Sequence, residues 1–268
     1  MSTVEIFQIS FEIWGCIISL IICTLLGSSP SQTDDPISRL LRKLVLVNNL
    51  LLVTDSLAYI YRGNLRIIGI AITRSCNFLL FAFEYLILFL VVRYIRLLTT
   101  PQESRRIFGW EISSWLLLSA AFAGLAATPF TGFYYFFNDT NHYQRGPYIL
   151  VSFLLCAAVI LICFLRLWKM RRLFSRHDIA TFFFCILALC ICIFMQFLFY
   201  GLSLISIGIT IVFLLLYLRH YIKQYDLSVN KRILTAIHDT EVLCSAKAQK
   251  ENQWEAAQKG GSDEANEK

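Results

Sequence analysis

Residues 67–92 read IIGIAITRSCNFLLFAFEYLILFLVV, and this stretch decides the fold class. Only two of its residues, Arg74 and Glu84, belong to the charged types Asp, Glu, Lys and Arg. An α-helix rises about 1.5 Å per residue, so about 20 apolar residues cross the hydrocarbon core of a bilayer. The stretch is therefore predicted to be a membrane-spanning helix.

Six further apolar stretches meet the same requirement, which gives seven spans in all. Breaks such as Ser28-Ser29-Pro30-Ser31 and Gly146-Pro147 separate them, and the break at 200–203 is the shortest and most apolar. The sequence predicts an all-α protein, with a seven-transmembrane helix bundle over residues 1–223 and a short tail over 224–268. The other six spans cover residues 6–27, 42–60, 112–131, 147–167, 179–199 and 204–222.

The composition agrees with a lipid bilayer as the solvent. Hydrophobic residues make up 57% of the 268 residues and charged residues 16%, whereas a soluble domain carries about a quarter charged residues. The net charge is +6, but Lys and Arg stand at the ends of the apolar runs, where they meet lipid headgroups. No nucleic-acid partner is predicted.

The distribution of Lys and Arg also predicts the orientation. The first five residues carry no basic side chain, so the run that follows is interpreted as a retained first helix rather than a secretory signal. With the N-terminus outside, the loops that become cytoplasmic hold most of the Lys and Arg, as the positive-inside rule requires. We expect a multi-pass protein of the cell membrane, and specifically of the bacterial cytoplasmic membrane. The basic residues left outside are Arg62, Arg66, Arg145 and, near the boundary, Arg74.

Two polar segments flank the spans. The outer loop at 130–147 is rich in Phe and Tyr, which predicts an interfacial aromatic belt, and its Asn138-Asp139-Thr140 is a glycosylation sequon that chance explains as well. In the tail, residues 224–250 are predicted to extend the seventh helix, and residues 259–268 to be disordered. The tail is too short for an ordinary enzyme domain.

The sequence lacks the residues and motifs that several kinds of functional site require. Eight of the nine Cys lie in or beside apolar runs, so we expect neither a disulfide nor a metal site at Cys185, Cys190 and Cys192. The seventh helix has no Lys for a retinal Schiff base, and the chain has no Gly-rich phosphate loop or Gly-x-Ser-x-Gly elbow. The expectation is a protein without enzymatic activity, cofactor or metal. The four His are scattered over loops and tail at His142, His177, His220 and His238.

Polar side chains at similar depth near the outer ends of the helices form the first candidate site. Ionisable groups in hydrocarbon are costly and therefore mark functional candidates. The antiparallel arrangement predicts an outward-opening ligand cavity. The alternatives are interhelical pairs in which Glu12 or Asp55 neutralises Arg74, or an Arg74 side chain that extends outward to the interface. The candidate ligand-binding residues are Glu12, Asp55, Arg74, Asn77, Gln196 and Tyr200.

A second candidate group lies deeper in the predicted bundle. Glu84 of the third span is level with Asn48 and Asn49 of the second. The group is interpreted as a buried hydrogen-bonded cluster or, alternatively, as a polar switch that changes partners on signalling.

Two families of seven-helix proteins invite comparison. Val92-Arg93-Tyr94 lacks an acidic residue before Arg93, and the seventh span lacks Asn-Pro-x-x-Tyr, so the chain does not fit the G-protein-coupled receptors. The stretches 131–147 and 196–210 resemble the seven-transmembrane N-terminal sensor region of bacterial, Firmicutes-type diguanylate cyclases and histidine kinases. The resemblance implies a sensor, here without the output domain that would follow helix seven.

The leading hypothesis is a sensor or receptor-like membrane protein that passes an external or intramembrane signal to a cytoplasmic or membrane signalling protein. A homodimer is a second form of partnership that the apolar positions of the tail allow. The alternatives are a small transporter, in which the polar residues line a path, and a non-catalytic membrane scaffold.

Overall fold

The computed structural model describes residues 3–28, 35–99, 109–198 and 203–265. These residues form seven α-helices, a two-stranded hairpin and one 3₁₀ turn at Arg171–Leu173. The predicted all-α class is confirmed. The helices are α1 (Thr3–Ser28), α2 (Pro36–Ile60), α3 (Ile67–Thr99), α4 (Gly109–Thr131), α5 (Ile149–Lys169), α6 (Arg176–Leu198) and α7 (Leu204–Ala265), with strands β1 (Tyr135–Phe137) and β2 (Tyr143–Arg145) between α4 and α5.

Six of the helices, α1 to α5 and α7, are long and apolar enough to cross a membrane. Large apolar side chains cover their outer faces, and Phe7, Trp14 and Leu154 are more than half exposed. A soluble protein rarely exposes apolar surface on this scale, so this is the architecture of a helical membrane protein. The span assigned to α6 stays a prediction, and so does the seven-span topology.

Helix α2 begins earlier than the apolar pattern indicates. The side chain of Asp35 caps the helix by accepting a hydrogen bond from the backbone N–H of Ser38, at 3.1 Å. Pro36 occupies the first turn, where its missing N–H leaves no helical bond unmade. The helix therefore starts at Pro36 rather than at 42, because capping adds a polar turn that hydropathy does not detect.

Helix α3 is shared by two apolar clusters. Its residues Ile87 and Tyr94 pack with α1, α2, α6 and α7 around Leu44 and Phe213. On its other side, Tyr85 and Val92 pack with α4, α5 and the hairpin. The first of these groups is called the apolar cluster below; its members on α1 and α2 include Ile22, Leu26, Leu41, Leu44 and Val45.

The hairpin packs into the protein rather than lying only along a membrane interface. Tyr134 and Tyr135 are buried, and the Tyr134 hydroxyl donates to the backbone carbonyl of Ala121 at 3.2 Å. Phe130 and Phe136 stay exposed, as the predicted aromatic belt requires. The prediction of an aromatic belt therefore applies to only part of this loop, because antiparallel pairing of β1 with β2 turns alternate rings inward.

Ion pairs join helices at the end of the bundle opposite the hairpin. Nε of Arg96 in α3 lies 3.3 Å from a carboxylate oxygen of Glu111 in α4. Arg219 in α7 donates from Nε to Asp178 in α6 at 2.6 Å, and from Nη2 to the hydroxyl of Ser175 at 2.8 Å. Ser175 and Asp178 also cap α6 reciprocally, so this contact orders the start of one helix against the next.

The chain divides into two compact units, Met1–Arg219 and His220–Lys268. The second unit contains the remainder of α7, which runs to Ala265. Residues 259–265, predicted to be disordered, are helical, following a segment rich in Ala, Gln, Glu and Lys, all of which favour helix.

Candidate functional site: a polar cavity at the hairpin end

A cavity of about 130 Å³ lies within the first unit, at the end of the bundle that carries the hairpin. Residues from α2, α3, β2, α5 and the start of α7 line it. Its ionisable lining residues are Asp55, Arg62, Glu84 and Arg145, and its neutral polar ones are Tyr59, Thr73, Asn77, Tyr143 and Ser203.

Two helix faces set the length of the cavity. Thr73, Asn77 and Glu84 recur at helical spacing on one face of α3. Thr73 and Glu84 are eleven positions apart, so they lie about 16 Å apart along the helix axis. Asp55 and Arg62 bound the same cavity from α2 and the turn after it, about 10 Å apart along the axis.

The charges of the cavity are separated along this axis. Because α2 and α3 are antiparallel, Asp55 and Glu84 lie together at the deep end, where the two carboxyl groups interact electrostatically. Arg62 lies in the turn at the hairpin end, and Arg145 lies in β2. The cavity thus has carboxyl groups at its floor and guanidinium groups at its mouth.

Asn141 fixes the mouth by docking the hairpin on the turn between α2 and α3. Its side-chain amide donates to the backbone carbonyl of Asn64 at 3.0 Å. The backbone carbonyl of Asn141 accepts from the N–H of Gly63 at 3.3 Å. Its φ of 55° lies in the left-handed region, which Asn tolerates better than most residues. This docking brings Tyr143 and Arg145 to the cavity.

A hydrogen-bonded network supports Asp55 from behind. Asp55 accepts from Ser206 at 3.2 Å and lies against Glu12, which in turn accepts from Ser56 at 2.6 Å. Both residues are almost fully buried.

Gln8 ties this network to the start of α7. Its side-chain amide donates to Glu12 at 2.6 Å and to the carbonyl of Ser203 at 2.8 Å, and its oxygen accepts from the Ser203 N–H at 3.2 Å. Without Gln8 the Ser203 N–H would lose its acceptor, and an unpaired backbone group costs several kcal/mol in hydrocarbon. The network therefore joins α1, α2 and α7 next to the cavity floor.

Below the floor, polar contacts give way to apolar packing. The amide of Asn48 donates to Ser19 at 3.2 Å and to Thr210 at 2.9 Å. Beyond this layer, the apolar cluster fills the space between the helices with Leu41, Leu44 and Phe213, all less than 3% exposed. The cavity is therefore closed towards the end of the bundle opposite the hairpin.

The structure brings only some of the predicted ligand-binding residues together. Asp55 and Asn77 line the cavity, and Glu12 lies directly behind Asp55. Arg74 does not join them: it is exposed, stacks over the ring of Phe137 at 5.7 Å and lines a separate groove with Phe78. Arg74 and Asn77 are three residues apart, which turns them about 60° from each other, enough to separate the two sides of α3.

The other predicted groupings also need revision. Glu84 lies in the cavity with Asp55, whereas Asn48 hydrogen-bonds Ser19 and Thr210, and Asn49 is half-buried outside the cavity lining. The predicted cluster of all three is thus divided between two places, because α2 presents Asn48 to α1 and α7. Tyr200 and the side chain of Gln196 lie outside the described residues.

Sequence reasoning missed Gln8, Arg62 and Arg145 as site residues. Gln8 is one helical turn before Glu12 and Arg62 is two turns after Asp55, so both spacings were visible in the sequence. No comparable signal existed for Arg145, because its position depends on how the hairpin docks.

The arrangement is suited to binding a small polar molecule. Within the described ranges, no group of three or more His, Cys, Asp or Glu could hold a metal ion. Nε of Arg62 is buried, and no described group accepts a hydrogen bond from it. No protein-family model, curated protein sequence or solved structure matches the chain.

Proposed function

We propose that the protein is a membrane sensor of receptor type that binds a small polar ligand in the cavity at the hairpin end. One observation carries the proposal: the cavity holds polar and charged residues at the hairpin end, while the apolar cluster fills the bundle beyond its floor. A binding site that is closed on one side fits a receptor better than a transport path, which needs polar groups through the whole bundle.

In this proposal the hairpin faces the outside of a bacterial cell, α6 completes seven spans, and the signal leaves through residues His220–Lys268. Several large apolar side chains on this segment are more than half exposed, among them Leu227, Leu234 and Val242, which supports docking of a signalling partner or a second copy. The resemblance to the sensor regions of bacterial cyclases and kinases supports the same role. A transporter remains the second candidate, because three carboxyl groups lie deep between apolar helices.

The experiment is two-sided labelling of a cysteine placed in the cavity. Asn77→Cys, in a background with the exposed Cys190 and Cys244 changed to Ser, is treated with a membrane-impermeant maleimide in intact cells and in inverted vesicles. A receptor predicts labelling from the outer side only. Labelling from both sides would indicate a transport path, and labelling from neither would indicate a scaffold, so both results would contradict the proposal.

The matched control is Ile87→Cys in the same background. Ile87 lies on the same helix, one turn beyond Glu84, within the apolar cluster. It should resist the reagent from both sides, which shows that labelling at residue 77 reports the cavity rather than a loosened helix.

A further inference from the structure

The two ends of the cavity carry different ionisable groups. Asp55 and Glu84 line the deep end, and Arg62 and Arg145 line the hairpin end. Carboxyl groups at the floor would not stabilise a ligand that is only an anion. Guanidinium groups at the mouth would not stabilise a ligand that is only a cation. The lining is complementary to a molecule with a charge of each sign at its two ends.

The separation of the charges constrains how far apart the ligand's own charges lie. Asp55 and Arg62 are seven residues apart, which corresponds to about 10 Å along the helix axis. An α-amino acid carries its amine and carboxylate on one carbon and reaches only one end. A linear molecule with terminal charges reaches both.

The volume constrains the size of the ligand. A cavity of about 150 Å³ admits a benzene molecule. The cavity here, of about 130 Å³, therefore encloses about five or six non-hydrogen atoms, and a carboxylate at the open mouth adds to these. The apolar residues Leu80, Phe81 and Ile205 between the charged ends fit an uncharged methylene chain.

At the mouth, a specific donor is available. Nε of Arg62 is buried and donates to no described group, and a buried guanidinium N–H without an acceptor is costly. A carboxylate is the acceptor that best matches the planar guanidinium. At the floor, the Glu12–Asp55 pair and Glu84 offer carboxyl oxygens to an ammonium group.

We propose that the cavity binds a short linear zwitterion, with its ammonium group at Asp55 and Glu84 and its carboxylate at Arg62 and Arg145. This inference rests on the proposed function, since it names the class of ligand for the same cavity. The charge separation of the cavity distinguishes such a ligand from α-amino acids and from singly charged molecules of equal length.

The test compares four probes on the full chain in lipid nanodiscs by calorimetry near neutral pH. They are 5-aminopentanoate, its isomer norvaline with adjacent charges, and the singly charged pentylamine and pentanoate. We expect 5-aminopentanoate to bind at least about tenfold more tightly than the other three, a difference of about 1.4 kcal/mol. Equal or tighter binding of any other probe, or no binding of 5-aminopentanoate, overturns the inference.

Two variants test which end of the ligand contacts which end of the cavity. Arg62→Gln and Glu84→Gln should each weaken the binding of 5-aminopentanoate at least about tenfold. The controls are Arg66→Gln in the same turn and Asp139→Asn in the hairpin, both exposed and outside the cavity lining. Equal affinity in Arg62→Gln and wild type would overturn the assignment, and the probe comparison on the wild type does not depend on how the variants fold.

The outcome also separates this inference from the proposed function. If Asn77→Cys is labelled from outside only while 5-aminopentanoate does not bind, the cavity is a receptor site for another class of ligand. If Asn77→Cys is labelled from neither side, the receptor proposal itself fails.

Discussion

At the scale of single residues, buried polar groups that form hydrogen bonds between helices shape the floor of the site. Gln8, Glu12 and Asn48 are fully buried, and each makes hydrogen bonds to other helices. In hydrocarbon no water replaces a lost partner, so each bond also determines which helix faces meet. The same residues that shape the cavity floor therefore hold α1, α2 and α7 in register.

Gln8→Ala is expected to destabilise the bundle by about 1–2 kcal/mol, because it leaves the Ser203 N–H without an acceptor and removes the hydrogen bonds that Gln8 donates to Glu12 and to the Ser203 carbonyl. The measurement is unfolding in mixed micelles, followed by fluorescence. Ser10→Ala is the matched control: it lies on the same helix, is exposed and bonds only the carbonyl of Ile6. An equal loss in both variants would show that the Gln8 network contributes nothing specific.

The contrast between Arg74 and Asn77 shows what residue-level sequence reasoning can and cannot predict. Both are polar residues near one end of an apolar span, and both were expected in the cavity. The side of the helix that each faces depends on where α2 and the hairpin pack, and no sequence spacing within α3 contains that information. Asp55 and Glu12 were expected at similar depth, since depth in antiparallel helices is set by length, and the structure places the two side by side.

At the scale of elements, the hairpin depends on close backbone contact. A Cβ atom on Gly146 would overlap the carbonyl oxygens of Gly132 and Phe133, which belong to the backbone and cannot rotate away. This contact accompanies the hydrogen bond from the Gly146 N–H to the Tyr134 carbonyl, at 2.8 Å. Because β2 carries Tyr143 and Arg145, the geometry of this closure determines the mouth of the cavity.

Gly146→Ala is therefore expected to lower stability by about 1–3 kcal/mol, the usual cost of overpacking a closed site. Thermal unfolding in nanodiscs measures the effect. Gly109→Ala serves as the control, since in the described part of the chain no atom beyond its own helical turn lies within 4 Å of a Cβ at that position. Stability equal to the wild type in Gly146→Ala would contradict the described hairpin closure.

The contact between Asp178 and Arg219 predicts a dependence of stability on pH. Burial raises the pKa of Asp178, but the hydrogen bonds from Arg219 and Ser175 outweigh burial and hold the pKa below its usual value. A carboxyl group with a lowered folded-state pKa stabilises the protein above its unfolded-state pKa of about 3.9 and loses that contribution as the pH falls through the folded-state pKa.

We expect the difference in melting temperature between wild type and Asp178→Asn to be constant near neutral pH and to shrink below about pH 4. Differential scanning fluorimetry across this range measures it, with Asp139→Asn as the exposed control. A difference that stays constant down to the lowest pH would contradict the ion pair.

At the scale of the whole molecule, hydropathy determined most of what could be predicted. The predicted spans at 6–27, 67–92 and 112–131 fall within α1, α3 and α4, because the length of an apolar run is fixed by bilayer thickness. The polar ends of the helices were less predictable. Capping places the start of α2 at Pro36, and the loop that was interpreted as an interfacial belt contains a hairpin. Both depend on hydrogen bonds rather than on apolar area.

The orientation of the bundle determines the compartment to which the cavity opens. If the hairpin end faces outside, the cavity receives external ligands. The same helices in the opposite orientation would open the cavity to the cytoplasm. The count of spans matters equally, because α6 decides on which side the chain emerges after α7.

The most direct test is a pair of fusions to a reporter that is active only in the cytoplasm, one after Thr140 in the hairpin turn and one after Lys223 in α7. Seven spans with the N-terminus outside predict a silent reporter after Thr140 and an active reporter after Lys223. An active reporter after Thr140 would contradict the outward-facing cavity, and a silent reporter after Lys223 would contradict the spanning role of α6.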